Sequence, residues 1–424
     1  MLNRLPFLKT SEFKKNVAIV FSGSVASQLI SIATAPIIAR LYSPTQYGVF
    51  GVFLSVAAIA AVLPTLRFTQ AIIIAREDED ARHILQFCTV SACAISITIT
   101  LILFLFGSWF AGLVGAAELG NWLLFLPVVT FLTGINELYA TWLNRFKRYG
   151  AITRSRILSS MLTVGSYLVW AYMYGASYRG LVAGMVIAQF LTAIYLYFAG
   201  QTASPFWFAL DWQLTKPQLS AHRKFLLYSL PSDLITIFTN QLPVFMLNRF
   251  AGSAEVGFFN MSQRILAIPS SFVSTAVGEV FKQRAAEDYH KTGSCRPIFL
   301  KSFKALALAG FFPFFLIFLC GPWLFSKFLG EQWSTAGLYS RIFAAMFYLR
   351  FVNSPLSYIL YIVNKQQFDI IGVLAYNVVT VAVFWIGFAY CDAVTVLILY
   401  TGAFSIVYLA MILLNFKLSG HGPE

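Results

Sequence analysis

Apolar residues along this chain come in a succession of stretches about twenty residues long, broken by Pro, Gly and charged positions, with no sustained two-residue alternation. A stretch of that length carries a helix, at about 1.5 Å per residue, across a hydrocarbon core about 30 Å thick. The punctuation predicts twelve spanning helices, near 16–40, 47–65, 84–106, 121–142, 157–174 and 180–200, then near 226–249, 257–281, 302–324, 336–362, 369–390 and 394–414. The first run contains Ala33-Thr34-Ala35, which looks like a signal-cleavage site, but the run is too long for a signal core and Pro36 follows directly, so it reads as a retained helix. Residues 201–225, with Ser204-Pro205 and Lys216-Pro217, read as the linker between two six-helix lobes, 1–210 and 211–424.

Composition agrees with lipid as the solvent: 58% apolar, 17% aromatic and 11% charged residues, with a mean hydropathy of +0.73. The expectation is an all-α integral membrane protein. The net charge of +13 changes the picture only once it is placed on the topology. With the N-terminus inside, 23 of the 30 Lys and Arg fall in inner segments, four (Arg40, Arg179, Arg249 and Lys327) in outer loops, and three (Arg264, Arg341 and Arg350) within spans. The positive-inside rule then puts both chain ends in the cytoplasm, and the charge needs no nucleic-acid partner.

The five cysteines form no C-x-x-C pair and sit mostly in apolar stretches, while the four histidines lie far apart, so neither a metal site nor a cofactor is expected. There is no phosphate loop, nucleophile elbow or H-E-x-x-H, and the longest outer loop, near 107–120, has a single charge, Glu118. The expectation is a transporter and not an enzyme.

An internal repeat supports that expectation. Arg40, Gly48 and Phe50, where the first span gives way to the second, recur as Arg249, Gly257 and Phe259 between spans seven and eight, at a constant offset of 209. Six helices per lobe is an even number, so both halves insert with the same orientation. That makes a parallel repeat, two bundles related by a pseudo-two-fold along the membrane normal, with a central cavity between them.

An ionised side chain in mid-span costs about 2.5–3.5 kcal/mol on insertion scales, so it faces a partner or a wet cavity. Arg350 is the deepest of the cations, Arg264 lies about two turns into its span from the outer side, and Asp233 about two turns into its span from the inner side. Asp233, Thr236 and Asn240 share one helix face and suit a watery lumen. Arg341 and Arg350, nine residues apart, point to opposite sides of one helix, and Arg341, nearer the outer end, reads as the one that snorkels. A cation bordering a cavity binds phosphate or another anion. Glu137 and Glu279 read as gate or interface residues, and Glu77-Asp78-Glu79-Asp80 as a solvated inner loop.

Three stretches resemble the polysaccharide flippases of the multidrug/oligosaccharidyl-lipid/polysaccharide exporter superfamily. They are Ala39-Arg40-Leu41-Tyr42-Ser43-Pro44 with Tyr47-Gly48; Arg67-Phe68 with Gln70-Ala71-Ile72-Ile73 and the acidic loop after it; and Asn240-Gln241-Leu242-Pro243 through Gly257-Phe258-Phe259, Arg264-Ile265-Leu266 and Pro269. The resemblance implies translocation of a polyprenyl-pyrophosphate-linked oligosaccharide from the inner to the outer leaflet of a bacterial inner membrane, by a monomer with membrane lipids around it and other glycan-assembly membrane proteins as candidate partners. It implies Arg264 and Arg350 on the anionic carrier, Arg40 and Arg249 near an outer gate, and Asp233 as a cation-coupling residue. Asn240 joins them on the lumen-facing stripe, and Arg350 matches no family motif, so its assignment rests on depth alone. Twelve spans fit less well with the fourteen-helix peptidoglycan precursor flippases. The alternatives are a cation-coupled drug exporter of the same superfamily, disfavoured by the excess of Arg over acid within the spans, and a membrane-embedded glycan polymerase, disfavoured by the short outer loops.

Overall fold

The computed structural model describes residues 11–115, 117–200, 210–270, 275–365 and 367–420, and among them every regular element is helical. The first half holds α1 (Ser11–Leu41), α2 (Pro44–Ala60), α3 (Thr69–Ile74), α4 (Asp78–Val114), α5 (Leu126–Arg145), α6 (Tyr149–Tyr174) and α7 (Tyr178–Ala199). A short helix, α8 (Trp212–Ala221), leads into α9 (Leu230–Phe250), α10 (Ser253–Pro269), α11 (Thr275–Thr292), α12 (Arg296–Leu329), α13 (Ser334–Leu356), α14 (Ile359–Ile362), α15 (Gln367–Tyr390) and α16 (Ala393–Leu418).

Eight described helices are long and apolar enough to cross a membrane: those containing α1, α4, α5, α6, α7, α12, α15 and α16. The chain is therefore an all-α, multi-pass membrane protein. Helix α2 is apolar but has only 17 residues. Helices α9 and α13 are long enough yet fall short in apolarity, since α9 carries Asp233, Asn240 and Arg249, and α13 carries Arg341, Arg350 and Asn353. The polar residues that lower the hydropathy of these helices are also the candidates for function.

The offset of 209 read from the sequence reappears in the helix ends. Helix α1 ends at Leu41 and α9 at Phe250, while α2 and α10 begin at Pro44 and Ser253 and each run for 17 residues.

Some expectations need correcting. The stretch read as one span near 257–281 holds α10 (Ser253–Pro269) and the start of α11 (Thr275–Thr292), with residues 271–274 and the side chain of Glu279 outside the described residues. The segment read as a linker contains α8, capped by Asp211, whose carboxylate accepts from the Gln213 and Leu214 amides. Thr215 of α8 is fully buried, Gln218 donates to Asp80 at 2.5 Å, and Trp212 packs its ring on Phe87. The acidic run is likewise no free loop. Asp78, Glu79 and Asp80 form the first turn of α4, where carboxylates favour the helix dipole, and Arg145 reaches Asp78 at 2.9 Å while also donating to the Ile72 and Ala75 carbonyls at the end of α3. One guanidinium thus ties together α3, α4 and α5.

The chain forms two compact units. The first takes the residues up to Tyr42 and then Val52–Phe238, and the second takes Ser43–Gly51 and the chain from Thr239 onward, so α2 and α9 each change unit partway along. In the first unit α6 packs between α1 and α7, and α5 packs on α4 and α7. Glycine lets these helices approach: a Cβ on Gly180 or Gly184 of α7 would run into Trp170 or Tyr167 of α6. In the second unit α13 is the central helix, packed on α10, α12 and α16. Gly321 of α12 and Gly337 of α13 cross with each one's added Cβ only 2.6 Å from the other's carbonyl oxygen. The buried pair Asn353–Asn415, 3.1 Å apart, registers α13 on α16.

Candidate functional site

Arg264 and Arg350 lie on α10 and α13, which pack against each other in the second unit. Ser262 is fully buried at that pairing, its hydroxyl 2.7 Å from both the Ala336 carbonyl of α13 and the Phe258 carbonyl of its own helix, which share its one proton. Arg264 is exposed two residues further along, and its Nη1 donates to the Tyr47 phenol oxygen at 3.3 Å. Arg350 is also exposed, lies 5.7 Å from the centre of the Phe347 ring, and stands within electrostatic reach of Tyr400 and Tyr408 on α16. Arg341, on another side of α13, lies over Phe318 of α12. Among the described residues no carboxylate comes within ion-pairing distance of Arg264 or Arg350. The contacts of both guanidinium groups are with neutral groups, a phenol oxygen for Arg264 and an aromatic ring for Arg350.

The remaining predicted residues are placed at helix ends and on a helix face. Arg40 and Arg249 occupy the last turns of α1 and α9, both exposed. Thr236 and Asn240 are exposed on α9, with the Thr236 hydroxyl satisfied by the Ser232 carbonyl.

Asp233 differs from these. Its carboxylate lies 2.5 Å from Arg67 Nε, and Arg67 Nη1 lies 3.9 Å from Glu137, which accepts a hydrogen bond from the Thr69 hydroxyl at 3.2 Å. The Arg67 Nε–H is not aligned on Asp233 as a hydrogen bond would require, so charge, more than directed bonding, holds the pair. Sequence reasoning counted Arg67 only as an inner-side cation. The backbone around it is unusual: Leu66 and Arg67 have φ of 47° and 63°, a left-handed conformation that non-glycine residues adopt at a cost. No residue type at those positions announces that turn, although Arg67-Phe68 did belong to the stretches that resemble the flippases.

Residues 37–337 match the family model described as polysaccharide biosynthesis protein. The succinoglycan biosynthesis transport protein ExoT of Rhizobium meliloti is 24% identical over 310 residues, covering 72% of this chain and 60% of the relative. The chain spans about three fifths of the length of the curated relatives it matches. Among solved structures, the lipid II flippase MurJ aligns with a TM-score of 0.71 at 12% identity, covering 95% of this chain and 90% of that one. A multidrug resistance MATE family transporter of the MOP superfamily, in an inward-facing conformation, aligns with a TM-score of 0.70 at 15% identity, covering 92% and 93%. At such identities the two structures speak for a shared fold alone, and that fold serves proteins of different names equally well. The family model covers most of the chain, so this multi-pass membrane protein belongs to the polysaccharide biosynthesis protein family, and it shares its fold with those two structures.

Proposed function

We propose that this protein is a flippase that moves a polyprenyl-pyrophosphate-linked oligosaccharide from the inner to the outer leaflet of a bacterial inner membrane by alternating access. In this reading it does no chemistry on its cargo. Twelve helices span, in two six-helix lobes of residues 1–210 and 211–424 with both termini cytoplasmic: the eight long apolar helices, the short α2, and the polar-bearing α9, α10 and α13.

The observation that carries the reading is the state of Arg264 and Arg350: two cations on packed helices of a membrane protein, with no countercharge at hand among the described residues. An uncompensated charge in such a segment calls for an anionic ligand, and the diphosphate of a lipid-linked glycan supplies one that is charged, oxygen-rich and membrane-tethered. Arg249, Arg40 and Asn240 would then line the route taken by the head group, and the surrounding lipid would solvate the polyprenyl chain.

Asp233 keeps its proposed part in coupling, in a modified form. A proton or cation arriving at its carboxylate would have to displace Arg67, so coupling would act by releasing α9 from the turn before α3. The likeness to a multidrug transporter structure concerns the fold and gives no separate support to a drug substrate. The test is flipping of a fluorescent lipid-linked diphosphate oligosaccharide in proteoliposomes. Arg264→Ala and Arg350→Ala should each remove most of the flipping while the protein still reconstitutes; full flipping by both variants refutes the assignment.

A further inference from the structure

Helices α2 and α10 meet on reciprocal terms within the second unit. At the offset of 209, Ser253 answers to Pro44, Gly257 to Gly48 and Asn260 to Gly51. A Cβ added to Gly48 would lie 1.6 Å from the Ser253 carbonyl oxygen, and one added to Gly257 would lie 2.0 Å from the Pro44 carbonyl oxygen. The two contacts are mates under a local two-fold. Each glycine faces backbone, which cannot swing aside as a side chain could, so this approach requires glycine on both helices.

The symmetry fails one turn further on. A Cβ on Gly51 would meet the Asn260 amide nitrogen at 2.1 Å, so α2 is bare where α10 carries a polar side chain. Gly257, Asn260 and Arg264 are spaced i, i+3 and i+7 and share the face of α10 that the glycine contacts turn toward α2.

Tyr47, beside Gly48, is the residue of α2 that meets Arg264. Only 8% of Tyr47 is exposed, and its ring stands edge-on to Trp333, with centroids 5.5 Å apart and planes at 89°. Trp333 is itself fully buried and is held by a second edge-on contact from Phe258. The phenol therefore sits on a rigid aromatic mount, and its oxygen accepts from Arg264 Nη1 at 3.3 Å. A phenol differs from a carboxylate here in one decisive way. It fixes one arm of the guanidinium and leaves the positive charge and the other N–H donors unspent.

We propose that Tyr47 is the positioning residue of Arg264, presenting its guanidinium to a diphosphate, and that the Gly48–Gly257 crossing sets the phenol at the height this requires. The proposal rests on the reading of Arg264 as an anion-binding residue.

The test follows modification of Arg264 by phenylglyoxal in the purified full chain, quantified by mass spectrometry, with inorganic pyrophosphate as the protecting probe. In the parent protein pyrophosphate should protect Arg264. Tyr47→Phe keeps the ring on Trp333 and removes only the phenol oxygen; it should raise the half-protecting concentration about 3- to 10-fold and speed the unprotected modification. Gly257→Ala, which pushes the helices apart, should shift protection in the same direction. Unchanged protection in folded Tyr47→Phe overturns the positioning role and leaves the anion-binding reading standing. Absence of protection in the parent protein overturns both.

Discussion

Arg67 and Arg264 are both guanidinium groups held beside membrane-spanning helices, and the two differ in what surrounds them. Arg67 has Asp233 at 2.5 Å and Glu137 at 3.9 Å, two acids for one base, in a turn with a left-handed backbone. Arg264 has a tyrosine hydroxyl at 3.3 Å and, among the described residues, no acid within reach. A charge that is already answered contributes to holding segments together, here α9 to the turn before α3 and to α5. A charge answered only by a neutral dipole is held in place without being neutralised, and it remains available to a ligand. Residue type and a place near a span are the same in both cases, yet the neighbours differ: two acids beside Arg67, a phenol beside Arg264.

The comparison breaks most sharply on activity. Arg264→Ala should lower flipping about 10- to 100-fold, the loss of a charge-assisted contact with the diphosphate, while leaving the melting temperature of the detergent-solubilised protein nearly unchanged. Arg67→Ala should show the reverse emphasis, because it leaves Asp233 and Glu137 without their shared cation. Its melting temperature should fall, and a melting temperature equal to the parent's would mean that the ion pair holds nothing.

A charge swap sharpens the point. Arg67→Asp and Asp233→Arg should each destabilise, and the double variant should recover part of the loss, with a coupling of about 1 kcal/mol given that both side chains are a quarter to a third exposed. Strict additivity of the two single effects would dissolve the pair. The smallest effect belongs to a charge with no duty of either kind: Arg82 touches Glu79 at 3.5 Å with the glutamate 70% exposed, and Arg82→Ala should move stability by no more than about 0.5 kcal/mol.

Much of the fold was legible in the chain because a spanning helix must be apolar over a fixed length, and that demand leaves a mark on every segment that meets it. Helices α4, α6, α12, α15 and α16 cover their predicted spans and extend past them by up to eight residues at an end, and α7 matches its span to within two residues. The misreadings fell where that demand is absent. Helix α8 buries Thr215, packs on α4 and has no hydropathic signature. The site was legible in part for the same reason: Arg264, Arg350 and Asp233 stood out because charge is costly in lipid. Arg67, Tyr47 and the Glu137–Thr69 contact did not, since an arginine near a span end and a tyrosine near an interface are ordinary in membrane proteins.

Sequence by itself determined the class of the protein, its family, the repeat with its offset of 209, and the short list of charges that need an explanation. These follow from length, polarity and spacing, quantities local to the chain or additive along it. Only the tertiary structure decided which of those charges are already paired and which helix faces meet. Pairing depends on distances between segments far apart in sequence, and a few ångströms separate a guanidinium locked to a carboxylate from one that is free to bind a ligand.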